Sequence, residues 1–214
     1  MRYQAILFDC DGTLVDSERI GNEVIIEQVA ELGLQLTLEE ALHQFAGRKM
    51  ADTITLIEQM LGRAVPAPFL PELRRRMAVA FESRLQAMDG VHELLQSLTS
   101  TLCVVSNGPQ DKMRVSLGVT GLLPYFDGRI YSGYDCDSWK PDPGLFLYAA
   151  RCLGVDPERC AVVEDSLHGV IGGMAAGMTV FAYAPDHSHR LAATGARIFH
   201  HMTELQMELQ EART

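Results

Sequence analysis

The chain has 214 residues, 47% of them hydrophobic and 21% charged, with 28 acidic side chains against 18 basic ones and a formal net charge of -10. That much apolar material supports one domain with an insertion or two modest domains, and excludes an intrinsically disordered chain. The acidic balance argues against nonspecific nucleic-acid binding, which draws on clustered Lys and Arg, and no apolar run approaches the ~18 residues of a membrane-spanning helix.

The first apolar run, Tyr3 to Phe8, meets Asp9 before a signal-peptide core could form, so a cytoplasmic location and no membrane partner are expected. Being short and not alternating, it reads as a strand buried on both faces. The rhythm then changes. Ile25, Val29 and Leu32 recur at helical spacing, as do Ile54, Ile57, Met60 and Leu61, and the region Pro66 to Pro71 separates a further helix running to about Ala87. An all-helical domain over residues 17–87 is therefore expected, inserted into a core domain formed by 1–16 and 88–214. Within the core, strands are expected at Thr101 to Val105, Arg129 to Ser132, Cys160 to Val163 and Met178 to Tyr183. Helices are expected at Val91 to Leu98, Pro109 to Leu117, Pro143 to Leu153 and Leu167 to Ala176, with a closing amphipathic helix at Met202 to Ala212. This alternation predicts an α/β fold, a Rossmann-like parallel sheet with right-handed crossovers.

Several features have plain structural readings. Arg74-Arg75-Arg76 reads as a solvated helix face. Five cysteines without C-x-x-C spacing indicate neither a disulfide framework nor a zinc site, and Cys103 and Cys160 read as small core residues. Gly169, Gly172 and Gly173 lack the order of a nucleotide loop and suit close helix-to-sheet packing, and Trp139 reads as a packing anchor.

Ligands of open α/β sheets bind beyond the carboxyl ends of the strands, so the polar residues that end the apolar runs are the candidates for chemistry. Those runs end in Asp9-Cys10-Asp11-Gly12-Thr13, Ser106-Asn107-Gly108-Pro109 and Glu164-Asp165-Ser166, and Lys140 lies in the loop Trp139-Lys140-Pro141. The set points to phosphoryl transfer. Asp9 and Asp165 with a backbone carbonyl offer the hard oxygens that suit Mg²⁺. Ser106 with the Asn107 and Gly108 amides lies at a helix start suited to phosphate, and Lys140 adds a point charge. Asp9 is assigned as nucleophile, Asp11 as general acid and then base, and the Thr13 hydroxyl as a brace for the aspartate loop.

These residues resemble the haloacid dehalogenase superfamily, whose first motif D-x-D-G-T stands here as Asp9 to Thr13; Ser106, Lys140 and Glu164-Asp165 match its later motifs in order. The resemblance implies a phosphatase with a helical cap over residues 17–87. It also implies Mg²⁺ held by Asp9, Asp165 and the Asp11 main-chain carbonyl, with Glu164 a direct or indirect fourth group. Gly47-Arg48-Lys49 resembles the family's specificity loop, and Glu18 is a further candidate substrate contact; a solvated helix start remains the alternative for both. The segments Ser106 to Pro109 and Ser132 to Pro143 look most like a bacterial sugar-phosphatase branch. The expected substrate is thus a small sugar or sugar-acid phosphate monoester, with 6-phosphogluconate as the candidate compound, handled by a monomer. A β-phosphoglucomutase-like mutase is the nearest alternative. A phospho-aspartate signalling module is the alternative from another class, and the helical insertion counts against it.

Overall fold

The computed structural model describes residues 3–45, 50–126, 128–185 and 189–211. Strand β1 (Ala5–Phe8) is buried along its whole length. The chain then forms four helices, α1 (Ser17–Ala30), α2 (Leu38–Phe45), α3 (Met50–Leu61) and α4 (Phe69–Arg84). It continues through α5 (Val91–Ser97), β2 (Thr101–Ser106), α6 (Gln110–Val119), α7 (Leu123–Phe126), β3 (Ile130–Ser132), α8 (Gly133–Cys136) and α9 (Gly144–Leu153). It ends with β4 (Cys160–Glu164), α10 (Leu167–Ala175), β5 (Thr179–Tyr183), β6 (Arg197–Phe199) and α11 (Met202–Glu211). None of the described helices is long and apolar enough to cross a membrane.

The six strands form one sheet in the order β3-β2-β1-β4-β5-β6, with every neighbouring pair parallel. That order is the doubly wound Rossmann arrangement, in which ligand crevices open where the winding reverses. Here the reversal falls between β1 and β4. Phe8 is in register with Val163, and the Asp9 N–H donates to the Val163 carbonyl at 2.9 Å, so Asp9 and Glu164 leave the sheet side by side.

Alternation along β1 sends neighbouring side chains to opposite faces. Leu7 joins a cluster containing Cys103, Val105, Phe146, Val162 and Val170, whereas Phe8 meets Phe126 edge-on with ring centroids 6.3 Å apart. The elements β6, α7 and α8 were absent from the expectations. Each has only three or four residues, too few to establish a period.

The chain divides into two compact units, Met1–Val15 with Ala87–Thr214, and Asp16–Gln86. Each boundary falls one residue before the expected one. The second unit is helical, with α1 packed on α2 and α4. Its core is braced by the buried Gln28 side chain, which donates to the Phe69 carbonyl at 2.8 Å. The arginine run on α4 turns its charge to acidic neighbours of the same unit: Arg75 and Arg76 grip Glu72, and Arg76 also reaches Glu31.

Leu7 is fully buried with strands on both sides. Leu7→Ala is expected to cost about 2–5 kcal/mol, because the strands beside it cannot collapse into the void. Urea unfolding would register this as a lower midpoint at unchanged slope.

Candidate active site

The ends of β1, β2 and β4 bring the expected segments to one edge of the α/β unit. At the centre lies Lys140, whose side chain is only 3% exposed. Its Nζ donates to Asp9 Oδ1 at 2.5 Å and to Glu164 Oε1 at 2.6 Å. Burial pushes the Asp9 carboxyl up, Lys140 draws it back and the Glu164 charge raises it again, leaving it at about 7. Burial alone would depress the Lys140 ammonium, but the two carboxylates outweigh that and hold it above the ordinary lysine range.

Lys140 is held by its backbone as well. The Asn107 carboxamide accepts from the Lys140 N–H at 2.8 Å and donates to the Lys140 carbonyl at 3.2 Å, closing both polar groups of that residue in one clamp. The expectation for Asn107 concerned its backbone amide, and its side chain has this further task that the sequence did not show. The Gly108 backbone has partners of its own. Its N–H donates to Ser106 Oγ at 3.1 Å, and its carbonyl accepts from Ser132 Oγ at 2.7 Å, so the Gly108 backbone organises the loop. Because the buried Ser106 hydroxyl accepts here, its own proton can be donated elsewhere.

The residues expected to hold Mg²⁺, Asp9, Asp11, Asp165 and Glu164, lie at or just beyond the ends of β1 and β4. Among the described residues no three His, Cys, Asp or Glu side chains are grouped as a metal cage. Glu164 gives Oε1 to Lys140 and Oε2 to the N–H and hydroxyl of Ser166, at 2.7 and 2.9 Å. Its place is beneath the lysine, in a space that exists because residue 169 is glycine: a Cβ there would stand 1.8 Å from Glu164 Oε1. Gly172 and Gly173 do meet the packing expectation, against Phe146 and Pro141 and against Val180 and Val162 respectively. Asp165 turns to the other side. Its Oδ1 accepts from the Thr13 hydroxyl at 2.9 Å, and its carboxylate fills the position that a Cβ on Gly12 would need, 2.3 Å away. Gly12 also has φ of +80°, which favours glycine independently.

Asp11 meets a cation that sequence reasoning passed over. Lys112, on the first turn of α6, donates from Nζ to Asp11 Oδ2 at 2.7 Å. A signal was available: of 18 cationic residues only three are lysines, Lys49, Lys112 and Lys140. Trp139 lies against Gly133, where a Cβ would come within 2.6 Å of the indole, and meets Tyr134 edge-on. In the helical unit, Glu18 is exposed on the first turn of α1. Gly47, Arg48 and Lys49 lie outside the described residues.

Lys140→Met is expected to destabilise the metal-free protein by about 3–5 kcal/mol at neutral pH, since two buried carboxylates lose their shared counter-ion. Asp9 already titrates near 7, above its unfolded value, and without the lysine it moves higher still. Above pH 7 the folded variant keeps a proton that the folded parent and the unfolded chain have released, so its deficit relative to the parent grows as pH rises above about 7. Urea unfolding in EDTA at several pH values measures both effects.

Comparison with known proteins gives the same frame. The chain is 38% identical over 214 residues to 6-phosphogluconate phosphatase of Escherichia coli (strain K12), covering 99% of this chain and 96% of that protein. Among solved structures, a HAD family hydrolase from Deinococcus radiodurans R1, crystallised with phosphate and sodium, superposes with a TM-score of 0.90 at 33% identity, covering 99% of this chain and 97% of that one. A haloacid dehalogenase-like protein from Agrobacterium tumefaciens strain C58 superposes with a TM-score of 0.88 at 34% identity, covering 99% and 100%. The family model for haloacid dehalogenase-like hydrolases matches residues 3–177, from the strand that carries Asp9 past the helix that shelters Glu164, and the chain belongs to that family.

Proposed function

We propose that the protein is a phosphoric monoester hydrolase acting on a small sugar or sugar-acid phosphate through an aspartyl-phosphate on Asp9. The observation that carries this reading is the buried Asp9-Lys140-Glu164 cluster beside Asp11 at the β1/β4 reversal. A lysine held between two carboxylates leaves this pocket with surplus negative charge and hard oxygen donors. Those donors fit Mg²⁺, which is commonly held by one or two carboxylates together with substrate phosphate and water. Asp9, Asp165 and the Asp11 main-chain carbonyl would hold it; when bound, it offsets the charge shared by the carboxylates and the phosphoryl oxygens.

The chain's own residues divide the remaining work. Lys140, fixed through Asn107, occupies Asp9 Oδ1 and so leaves Oδ2 as the attacking oxygen. Ser106, accepting from Gly108, donates its hydroxyl proton to a phosphoryl oxygen. As the Asp9 oxygen bonds to phosphorus, the bond to the leaving oxygen breaks with its electron pair. Asp11 supplies that oxygen with a proton, then as carboxylate takes a proton from the water that hydrolyses phospho-Asp9. Thr13 braces Asp165 against the loop. The helical unit is read as the family cap, and Gly47, Arg48, Lys49 and Glu18 remain its proposed substrate contacts.

The similarity to 6-phosphogluconate phosphatase makes 6-phosphogluconate the first compound to assay. Asp9→Asn is expected to abolish p-nitrophenyl phosphate hydrolysis, with at least a ~10³-fold loss. EDTA is expected to do the same, reversibly on Mg²⁺ addition. Phosphate release across sugar phosphates ranks substrates, and Lys49→Ala should change that ranking. Supplied with a hexose 1-phosphate, the enzyme is expected to yield inorganic phosphate; accumulation of the 6-phosphate instead would identify a mutase.

A further inference from the structure

Asp11 divides its two carboxyl oxygens unequally. Oδ2 accepts from Lys112 Nζ at 2.7 Å, while Oδ1 is buried and has no hydrogen-bond partner among the described residues. A buried carboxyl oxygen without a partner is costly unless it has another use. Lys112 stands on the helix that follows the Ser106 loop, and its stem lies 4.0 Å from where a Cβ on Gly108 would be. Through Asp11 its ammonium joins the charged groups just beyond the end of β1. Yet its side chain is 41% exposed, unlike that of Lys140, so it is no buried structural counter-ion.

We propose that Lys112 is the positioning residue for the general acid: by engaging Oδ2 it fixes the Asp11 rotamer and leaves Oδ1 as the oxygen that carries the transferable proton. An oxygen accepting an ammonium hydrogen bond is the poorer seat for that proton, so the two oxygens of one carboxyl group acquire separate tasks. In the first step the phosphorus–oxygen bond of the substrate breaks, its electron pair goes to the alkoxide oxygen, and the proton on Asp11 Oδ1 transfers there to release the alcohol. In the second, the same oxygen receives a proton from water as the water oxygen bonds to phosphorus and the acyl phosphate cleaves, restoring Asp9. Lys112 exchanges no proton in either step. A cation at this place also distinguishes the roles of the lysines: Lys140 holds the nucleophile and Lys112 holds the acid.

This inference rests on the phosphatase reading, and leaving-group dependence tests it separately. An alkyl phosphate needs a proton on its leaving oxygen, whereas p-nitrophenolate departs without one. Lys112→Met is therefore expected to lower kcat/KM on a sugar phosphate by about 10–100-fold, a large part of what general acid catalysis supplies, while kcat/KM on p-nitrophenyl phosphate, which reports phosphoryl transfer and not the shared hydrolysis of phospho-Asp9, falls by a much smaller factor. Lys112→Arg should recover most of the sugar-phosphate loss, and combining Lys112→Met with Asp11→Asn should be little worse than Asp11→Asn alone. Retained p-nitrophenyl phosphate turnover shows that the variant is folded. Should Lys112→Met and Lys112→Gln both depress kcat/KM of the two substrates equally, Lys112 is a phosphate-binding or structural residue and the proposal fails. Unchanged turnover of both substrates overturns it as well. If the parent protein hydrolyses neither substrate, the phosphatase reading itself is at fault.

Discussion

An ammonium removed from water between two carboxylates holds only where the loss of hydration is met by close charge pairing and by satisfied polar groups around it. Lys140 fulfils that condition by cooperation between distant segments: β1 presents Asp9, β4 presents Glu164, and the loop after β2 presents the Asn107 carboxamide that closes on the Lys140 backbone. None of these parts suffices alone. Without the parallel register that sets Phe8 beside Val163, the carboxylates would not share a cation; without a glycine at 169, Glu164 would lose its seat. The cluster nonetheless carries two acids to one base, and that imbalance makes the pocket receptive to further positive charge. It is also why burial, tempered by the lysine, leaves Asp9 near 7.

The position of this cluster follows from winding. The chain passes outward from β1 to β2 and β3, then returns to place β4 on the other side of β1. Loops leaving β1 and β4 must therefore diverge, and the crevice between them is where backbone ends and polar side chains gather. The apolar strands supply rigidity, while the residues just past them supply chemistry. Gly12 shows how tightly the two are coupled. Its positive φ turns the aspartate loop, and its missing side chain admits the Asp165 carboxylate that Thr13 then holds.

Much of this was legible in the sequence because it rests on local order. Uniformly apolar runs marked the four longer strands, and the polar residues ending them marked the edge where Asp9, Ser106, Lys140 and Asp165 come together. What stayed hidden depends on side-chain direction across long sequence separation. Glu164 and Asp165 are adjacent in the chain, and spacing does not reveal that one turns beneath Lys140 and the other toward Thr13. Asn107 looked like a source of backbone amides because its partner lies 33 residues away. Gly169 resembled its packing neighbours Gly172 and Gly173, although it faces a carboxylate and they face apolar or backbone atoms. The short strand β6 had too few residues to show a period.

The choice of lysine in a chain that otherwise uses arginine carries the same physical logic. A planar guanidinium with five donors in a fixed fork suits exposed pairing, as Arg75 and Arg76 show on α4, where they grip Glu72. An ammonium is compact and directs its donors to separate acceptors, which is what a site between Asp9 and Glu164 demands when only 3% of the side chain reaches solvent. Among the described residues, the hydrogen bonds that orient Asp9, Asp11, Lys140 and Glu164 join groups of the α/β unit. The groups assigned to phosphorus chemistry are thus tied to one another by partners within the same α/β unit, and the lysine on which the acids depend is fixed from both its side chain and its backbone.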